Sequence, residues 1–508
     1  MAVRAVSLAL GPQGPDDRAR GGFRPCWAWL GVGVRYDACV IGSGADGLTA
    51  AAWLARAGLA TRVIERESVP GGRLAFREFH PGFRAPAFVD EPAPVPDALF
   101  HAFDLARAGA ILVPAPTSLA VWPGRAHFMR RGETAFLAKM QLRVAALRAR
   151  AEAEAARVPP RWTLLGKREP TPPWPSGDLC TESLDGVLRR HASGDEAAHL
   201  LAQALCGRTA DPFLAGSALH LAVPSGGGVA MSGRLPQALA GIARDAGAEI
   251  SCGLEAIEVA RVKGRIAGVT MADGSVIEAR AVISTLDLKR TLLSLFRWNE
   301  LSGDLAQQVN QFRFAGGTAR LLVALEHLPG CQRDALRGPI HLAPSAEGFA
   351  EANAAWRAGT IPPHPPATIR VVSASDPGLA PRGAASVAVT LSGIALRPFD
   401  GAWTHDKREA LRTAALAALD AVFPGAKVLA SEVIAPPDFE ESLGLTGGDL
   451  WGGEIAPDQM FAARMGPRTP IAGLYLGGPS SAAGVLGACF GGFVAARALL
   501  ADREAGRP

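Results

Sequence analysis

Gly42, Gly44 and Gly47 stand in G-x-G-x-x-G spacing directly after the apolar run Tyr36–Ile41, and Glu65 closes a second apolar run at residues 61–64. Residues of these types in this order hold phosphates rather than break bonds. The first glycine allows a tight turn, the second lets backbone approach a pyrophosphate, and the third lets a helix pack closely on a strand. A carboxylate about twenty residues on accepts hydrogen bonds from a ribose. Ser43, Ala45 and Asp46 fill the same loop and the first turn of the helix that follows. There free N–H groups and a partial positive charge face an anion. No side chain stands out as a catalytic acid or base. His80, His327, His341, His364 and His405 are scattered and read as turn, surface or core residues. Cys489 reads as a small packing residue.

The elements that position these groups follow from the apolar patterning. Tyr36–Ile41 is a buried strand, residues 48–57 an Ala- and Leu-rich helix ended by Gly58, and residues 61–64 a second strand. Residues 134–158 and 184–205 read as helices, and 159–177 as a Pro- and Trp-containing linker. Ser225 to Gly228 is not a phosphate loop, because no Lys-Ser or Lys-Thr follows it. After it come a helix at 235–246 and a strand at 248–251. Short strands at 257–261, 265–271, 276–279 and 281–284, with an Asp273-Gly274 turn, suggest an antiparallel meander. Residues 320–325, 368–372 and 385–391 read as strands of a separate sheet. Near the end, residues 474–476 form a strand, Gly477 and Gly478 a turn, and 485–500 a helix whose N-terminus is expected to face the ligand. Its dipole is worth ~0.3–2 kcal/mol to a nearby anion.

Composition narrows the class. The chain has 508 residues, 48% hydrophobic and 20% charged, which is enough for two or three domains with a large core. A net charge of +4, with no basic stripe, argues against nucleic acid but leaves room for peripheral contact with an anionic membrane surface. The seven cysteines are scattered and odd in number, without C-x-x-C, so no disulfide scaffold, zinc site or dithiol centre is expected. No apolar run reaches transmembrane length. A reducing compartment fits: the cytoplasm, or the mitochondrial matrix in a eukaryote. Residues 1–34 read as a disordered or non-family extension.

Beyond the glycine loop, Gly71-Gly72-Arg73 follows Glu65-Arg66 after a short loop. This resembles the V-x-E-[RK]…G-G-[RA] pattern of FAD-dependent oxidoreductases of the glutathione-reductase structural type. His80-Pro81-Gly82-Phe83, Asp376-Pro377-Gly378-Leu379-Ala380-Pro381, Gly444 to Trp451 and Asp458-Gln459-Met460-Phe461 are similar to stretches of phytoene-desaturase-like enzymes. The resemblance is greatest to their branch called pyridine nucleotide-disulfide oxidoreductase domain-containing protein 2, and covers most of residues 35–500, least well at 104–175. The chain departs from its relatives at Phe76 and at Ser481-Ala482-Ala483.

The resemblance implies FAD. It adds Arg66, Gly71, Gly72, Arg73, Ala256, Gly477, Gly478, Gly484 and Val485 to the cofactor residues, with backbone at Glu255 and Ala256 meeting the adenine. It also implies an α/β fold: a discontinuous Rossmann-type FAD domain (35–80, 225–292 and 445–508) with an inserted α+β substrate domain (81–224 and 293–444). The expected reaction moves a hydride from an organic, apolar substrate to flavin N5, with a further, unidentified electron acceptor; FAD carries the hard chemistry. The alternatives are a carotenoid desaturase or isomerase, a non-catalytic FAD-binding protein, and an amine oxidase.

Overall fold

Two sheets carry the architecture, one around the glycine loop and one beside it. The computed structural model describes residues 36–90, 94–110, 117–130, 135–157, 177–192, 194–223, 234–328, 336–342 and 344–507. The N-terminal extension, most of the linker at 159–177 and the Ser225 to Gly228 stretch lie outside the described residues.

In chain order the strands are β1 (Tyr36–Ile41), β2 (Thr61–Glu65), β3 (Phe76–His80), β4 (Phe83–Pro86), β5 (Thr117–Trp122), β6 (Arg125–Arg130), β7 (Glu249–Cys252) and β8 (Ala256–Val262). Then come β9 (Arg265–Met271), β10 (Val276–Ser284), β11 (Thr318–Leu325), β12 (Ile340–Leu342), β13 (Ala367–Val371), β14 (Ala385–Ser392), β15 (Val428–Ile434) and β16 (Leu474–Leu476). The first sheet runs β7-β2-β1-β10-β9-β8, and β16 also pairs with β10. Its parallel part draws on three separated stretches of chain: Ala38 pairs with Thr61 and Ala281, and Val282 with Leu474.

β1 is covered on both faces, as parallel strands are. Ala38 and Val40 join the core under the helix Ala45–Arg56, while Cys39 and Ile41 join a core with Val259, Val269 and Leu292. That helix packs against the helices Phe490–Glu504 and Arg234–Asp245. Gly492 permits the first of these contacts, because a Cβ there would strike the Asp46 carbonyl.

Three elements differ from the sequence reading. Residues 276–279 and 281–284 are one strand, β10. Val276 to Glu278 pair antiparallel with β9, and Ala279 to Ser284 pair parallel with β1. Exposed Arg280 interrupts the apolar pattern without interrupting the strand. Residues 184–205 form two helices, Leu184–His191 and Gly194–Leu205, separated at Ala192, whose backbone is extended. The last helix begins at Phe490, not near 485, and its N-cap, Cys489, has φ +70°. Cys489 therefore precedes this helix rather than sitting a turn inside it.

The second sheet, ordered β15-β11-β14-β13-β12-β5-β6, is antiparallel except between β12 and β5. β11, β13 and β14 are buried throughout. One face packs under the helix His405–Val422, with Leu411, Ala415 and Leu419 among Val323, Val387 and Val389. The other gives Leu322 and Ala388 to a cluster with Ala85, Phe88 and Phe439. Among the described residues no helix is long and apolar enough to cross a membrane.

Candidate functional site

A cleft of about 1740 Å³, its open mouth included, lies where β1 and β2 end and the helix Ala45–Arg56 begins. Ligands of open α/β sheets bind beyond the carboxyl ends of strands in this way. Gly42, Gly44, Ala45 and Asp46 line it from the glycine loop, and Glu65 and Arg66 from the end of β2. Gly71, Gly72 and Arg73, Ala256 at the start of β8, and Gly484 with Val485 near the C-terminus complete the expected set.

Ser43, Gly47, Gly477 and Gly478 shape the cleft without lining it. The Ser43 N–H and hydroxyl donate to Glu65 Oε2 at 2.8 and 2.7 Å, and the Glu67 N–H donates to Oε1 at 3.0 Å. These bonds fix the carboxylate at the strand end; Oε2 accepts two of them, and Oε1 keeps a second lone pair for a ribose hydroxyl. A Cβ on Gly47 would overlap the Gly42 carbonyl, and one on Gly478 would overlap the Thr285 carbonyl. Gly477 passes against Gly492, with its own Cβ position 3.3 Å from the Gly492 Cα.

Gly44 behaves differently. Its φ of −67° suits any residue, and no atom lies within 4 Å of where its Cβ would be. Space beside a cleft-lining glycine that nothing in the chain fills is space for a ligand. The glycine pair closes over the loop: Gly71 N–H donates to the Ser43 carbonyl at 3.2 Å, and the Cβ position of Gly72 is 3.2 Å from the Gly44 Cα.

Buried charged groups line the cleft. Burial pushes the Asp46 carboxyl up to about 6, opposed by Arg73 and by the N–H groups of Gly492 and Gly491. Burial also lowers Arg73, which donates to the Leu450 carbonyl and feels Asp46 and Asp449. Asp287, raised by burial, accepts from the Thr446 N–H at 2.8 Å and its hydroxyl at 3.0 Å. Arg66 ties the strand end to the helix Pro436–Leu443 through the carbonyls of Glu441 (3.0 Å) and Ser442. The N-terminus of the last helix does not face the cleft as the sequence suggested. Gly492 N–H donates to Asp46 Oδ1 at 3.2 Å, so a carboxylate of the first helix takes that position, and the 3₁₀ turn Gly484–Leu486 lines the cleft instead.

Sequence reasoning missed Thr285, Asp287, Arg290, Arg208 and Trp451, all of which line the cleft. Thr285 and Asp287 follow β10 and signal nothing by type. Arg208 had a faint signal, a lone cation after the apolar run Ala204-Leu205-Cys206-Gly207.

A glycine loop at a helix N-terminus, a strand-end carboxylate, and a second glycine pair folded over the loop define a flavin-dinucleotide site on a Rossmann-type sheet. The residues fit FAD: the cleft is large enough, Gly44 keeps a wall open, and Glu65 is anchored with acceptor capacity to spare. A model of the DAO family, described as FAD dependent oxidoreductase, matches residues 37–348, more than half of the chain. The chain belongs to that family and is an FAD-dependent oxidoreductase.

Among curated proteins, pyridine nucleotide-disulfide oxidoreductase domain-containing protein 2 of Mus musculus is 27% identical, over 89% of this chain and 91% of that protein. The Rattus norvegicus protein of the same name is 26% identical, over 91% and 95%. The sequence resemblance to this branch is thus met by full-length relatives. Among solved structures, an oxidoreductase from Methanosarcina mazei has a TM-score of 0.56 at 18% identity, covering 90% of this chain and 98% of that one. Putrescine oxidase bound to putrescine has a TM-score of 0.58 at 15% identity, covering 93% and 100%. At these identities the likeness is one of fold.

Proposed function

We propose that this chain oxidises an organic, largely apolar substrate by hydride transfer, with FAD held in the cleft between the glycine loop, the Gly71-Gly72 pair and the Gly484–Leu486 turn. The observation that carries the reading is the open side of Gly44, next to an anchored Glu65. When bound, FAD supplies the hydride acceptor. The chain's own work is placement. The N–H groups at the start of the helix Ala45–Arg56 meet the diphosphate. Glu65 holds a ribose. Gly484 and Val485 bring backbone to the flavin end, where Arg73 adds buried positive charge.

An apolar substrate is supported by Val89, Val223, Leu445, Val485 and Trp451, which line the cleft. An amine oxidase reading is weaker, because the cation Arg208 also lines the cleft and would repel a protonated amine. Phytoene-desaturase-like specificity rests on the sequence motifs alone.

The test is anaerobic titration of the FAD-loaded protein with candidate reductants. Bleaching of the flavin by an apolar organic substrate, and not by NADH alone, supports the reading. Reduction only by nicotinamide nucleotides would overturn it.

A further inference from the structure

Asp46 is the one acid inside the glycine loop. It stands in the first turn of the helix Ala45–Arg56, just past Gly44 with its open side, and lines the cleft while only 7% exposed. No side chain caps this helix start, so its N–H groups are left for an anion. The loop thus offers N–H groups to a diphosphate and keeps a buried carboxylate beside them. A buried acid next to a charge of its own sign is driven toward its neutral form.

The groups packed around Asp46 do not cancel its charge. From the last helix, the Gly492 N–H donates to Oδ1 at 3.2 Å and the Gly491 N–H adds a weaker bond. The Cys489 thiol beside it is held neutral, pushed up to about 12 by burial. From the glycine pair, Arg73 attracts the carboxylate, but its guanidinium donates to the Leu450 carbonyl and is shared with Asp449. The rest of the cleft adds acids rather than relief: Glu65, Glu67, Glu255 and Asp287 line it, with Arg66 and Arg290. Among the described residues no histidine lines it.

We propose that Asp46 takes up a proton from solvent when FAD binds, becoming a neutral donor in the wall of the diphosphate site, so that pH sets how tightly this chain holds its cofactor. The inference rests on the functional reading above and assigns a protonation state within that site. A protonated carboxyl gains an O–H, and donation to a charged oxygen is among the stronger hydrogen bonds. In the free protein burial already pushes the Asp46 carboxyl up to about 6, and a bound diphosphate raises it further. The sign follows. Below about pH 6 the proton is already present and FAD binds most tightly. Above it, affinity falls by up to roughly tenfold per pH unit, until the pH passes the value in the bound state.

The test is calorimetric titration of the flavin-free, full-length protein with FAD at pH 5 and 7.5, in two buffers of different ionisation heat at the higher pH. The buffer dependence of the heat counts protons. The parent is expected to take up more than about half a proton per FAD at pH 7.5 and to bind FAD roughly tenfold more weakly there than at pH 5. Asp46→Asn keeps the shape and an acceptor for the Gly492 N–H, and Asp46→Ser removes the acid by a second route. Both are expected to bind FAD without proton uptake and with equal affinity at the two pH values. Asp287 is the other cleft acid raised by burial, and it accepts from Thr446 and from the Arg290 N–H. Proton uptake that persists in both variants would move the effect to such a group and overturn the proposal. FAD binding by the parent without proton uptake would overturn this proposal alone. A parent that binds no FAD at either pH would overturn the functional reading and this proposal with it.

Discussion

The carboxylate of Asp46 caps a helix that begins more than four hundred residues later: its Oδ1 accepts from the Gly492 N–H at 3.2 Å. The first and last helices of the nucleotide-binding sheet thus share one buried charge, with Arg73 as its counter-ion. The folded-state pKa, about 6, lies above the unfolded value of about 4. The stability that Asp46 contributes is therefore full at low pH and is lost as pH climbs to about 6. Apoprotein carrying Asp46→Asn is expected to escape roughly 2–3 kcal/mol of that loss. Urea unfolding of both proteins at pH 4.5 and 7 measures it, and parallel pH dependences would refute the assignment.

Glycines of one motif are expected to fail in different ways. Gly47→Ala drives a methyl into the Gly42 carbonyl and should cost about 2–4 kcal/mol, or prevent folding. The Cβ of Gly44→Val has no protein atom within 4 Å, so its unfolding midpoint should stay near the parent's while FAD uptake falls by tenfold or more. Unfolding curves paired with FAD titrations separate the two. Uptake unchanged in Gly44→Val would mean the open space is not the diphosphate position.

Ion pairs in this chain are not equivalent. Arg320 of β11 meets Asp90, the Thr390 hydroxyl at 2.8 Å and the Pro86 carbonyl at 3.2 Å, with its side chain 2% exposed. Asp90→Ala leaves a buried guanidinium without its anion and should cost about 3–5 kcal/mol. Asp458 pairs with Arg313 at 2.7 Å but is 64% exposed, and Asp458→Ala should cost under about 1 kcal/mol. Equal losses in denaturant would contradict the distinction.

Cys489 is expected to form no flavin bond. The thiol is buried, its pKa is pushed up to about 12 by burial, and it does not line the cleft. Acid precipitation should release all FAD into the supernatant. Flavin retained in the pellet, and lost from it in Cys489→Ala, would show the opposite.

The βαβ unit was legible because its signals are local: an apolar run, three spaced glycines, an Ala-rich helix and a strand-end carboxylate within thirty residues. The second sheet's β11, β13 and β14 were legible for the same reason, as short runs rich in apolar and β-branched residues. β10 was misread because it changes partners midway, antiparallel to β9 and then parallel to β1, and exposed Arg280 resembles a turn. The start of the last helix was misread because apolar patterning runs through Val485, whereas the left-handed backbone at Cys489 sets the boundary. Arg208, Asn353 and Trp451 were invisible as a group. They come from three distant segments, and only the packing of the two sheets and the C-terminal loops brings them to one cavity.

The central claim is tested most directly by the FAD content of the purified chain after incubation with excess FAD and gel filtration. The account predicts one FAD per chain in the parent protein, and a folded protein nearly free of flavin for Gly44→Val. A well-folded parent that retains no FAD, or a Gly44→Val variant that retains it fully, would contradict it.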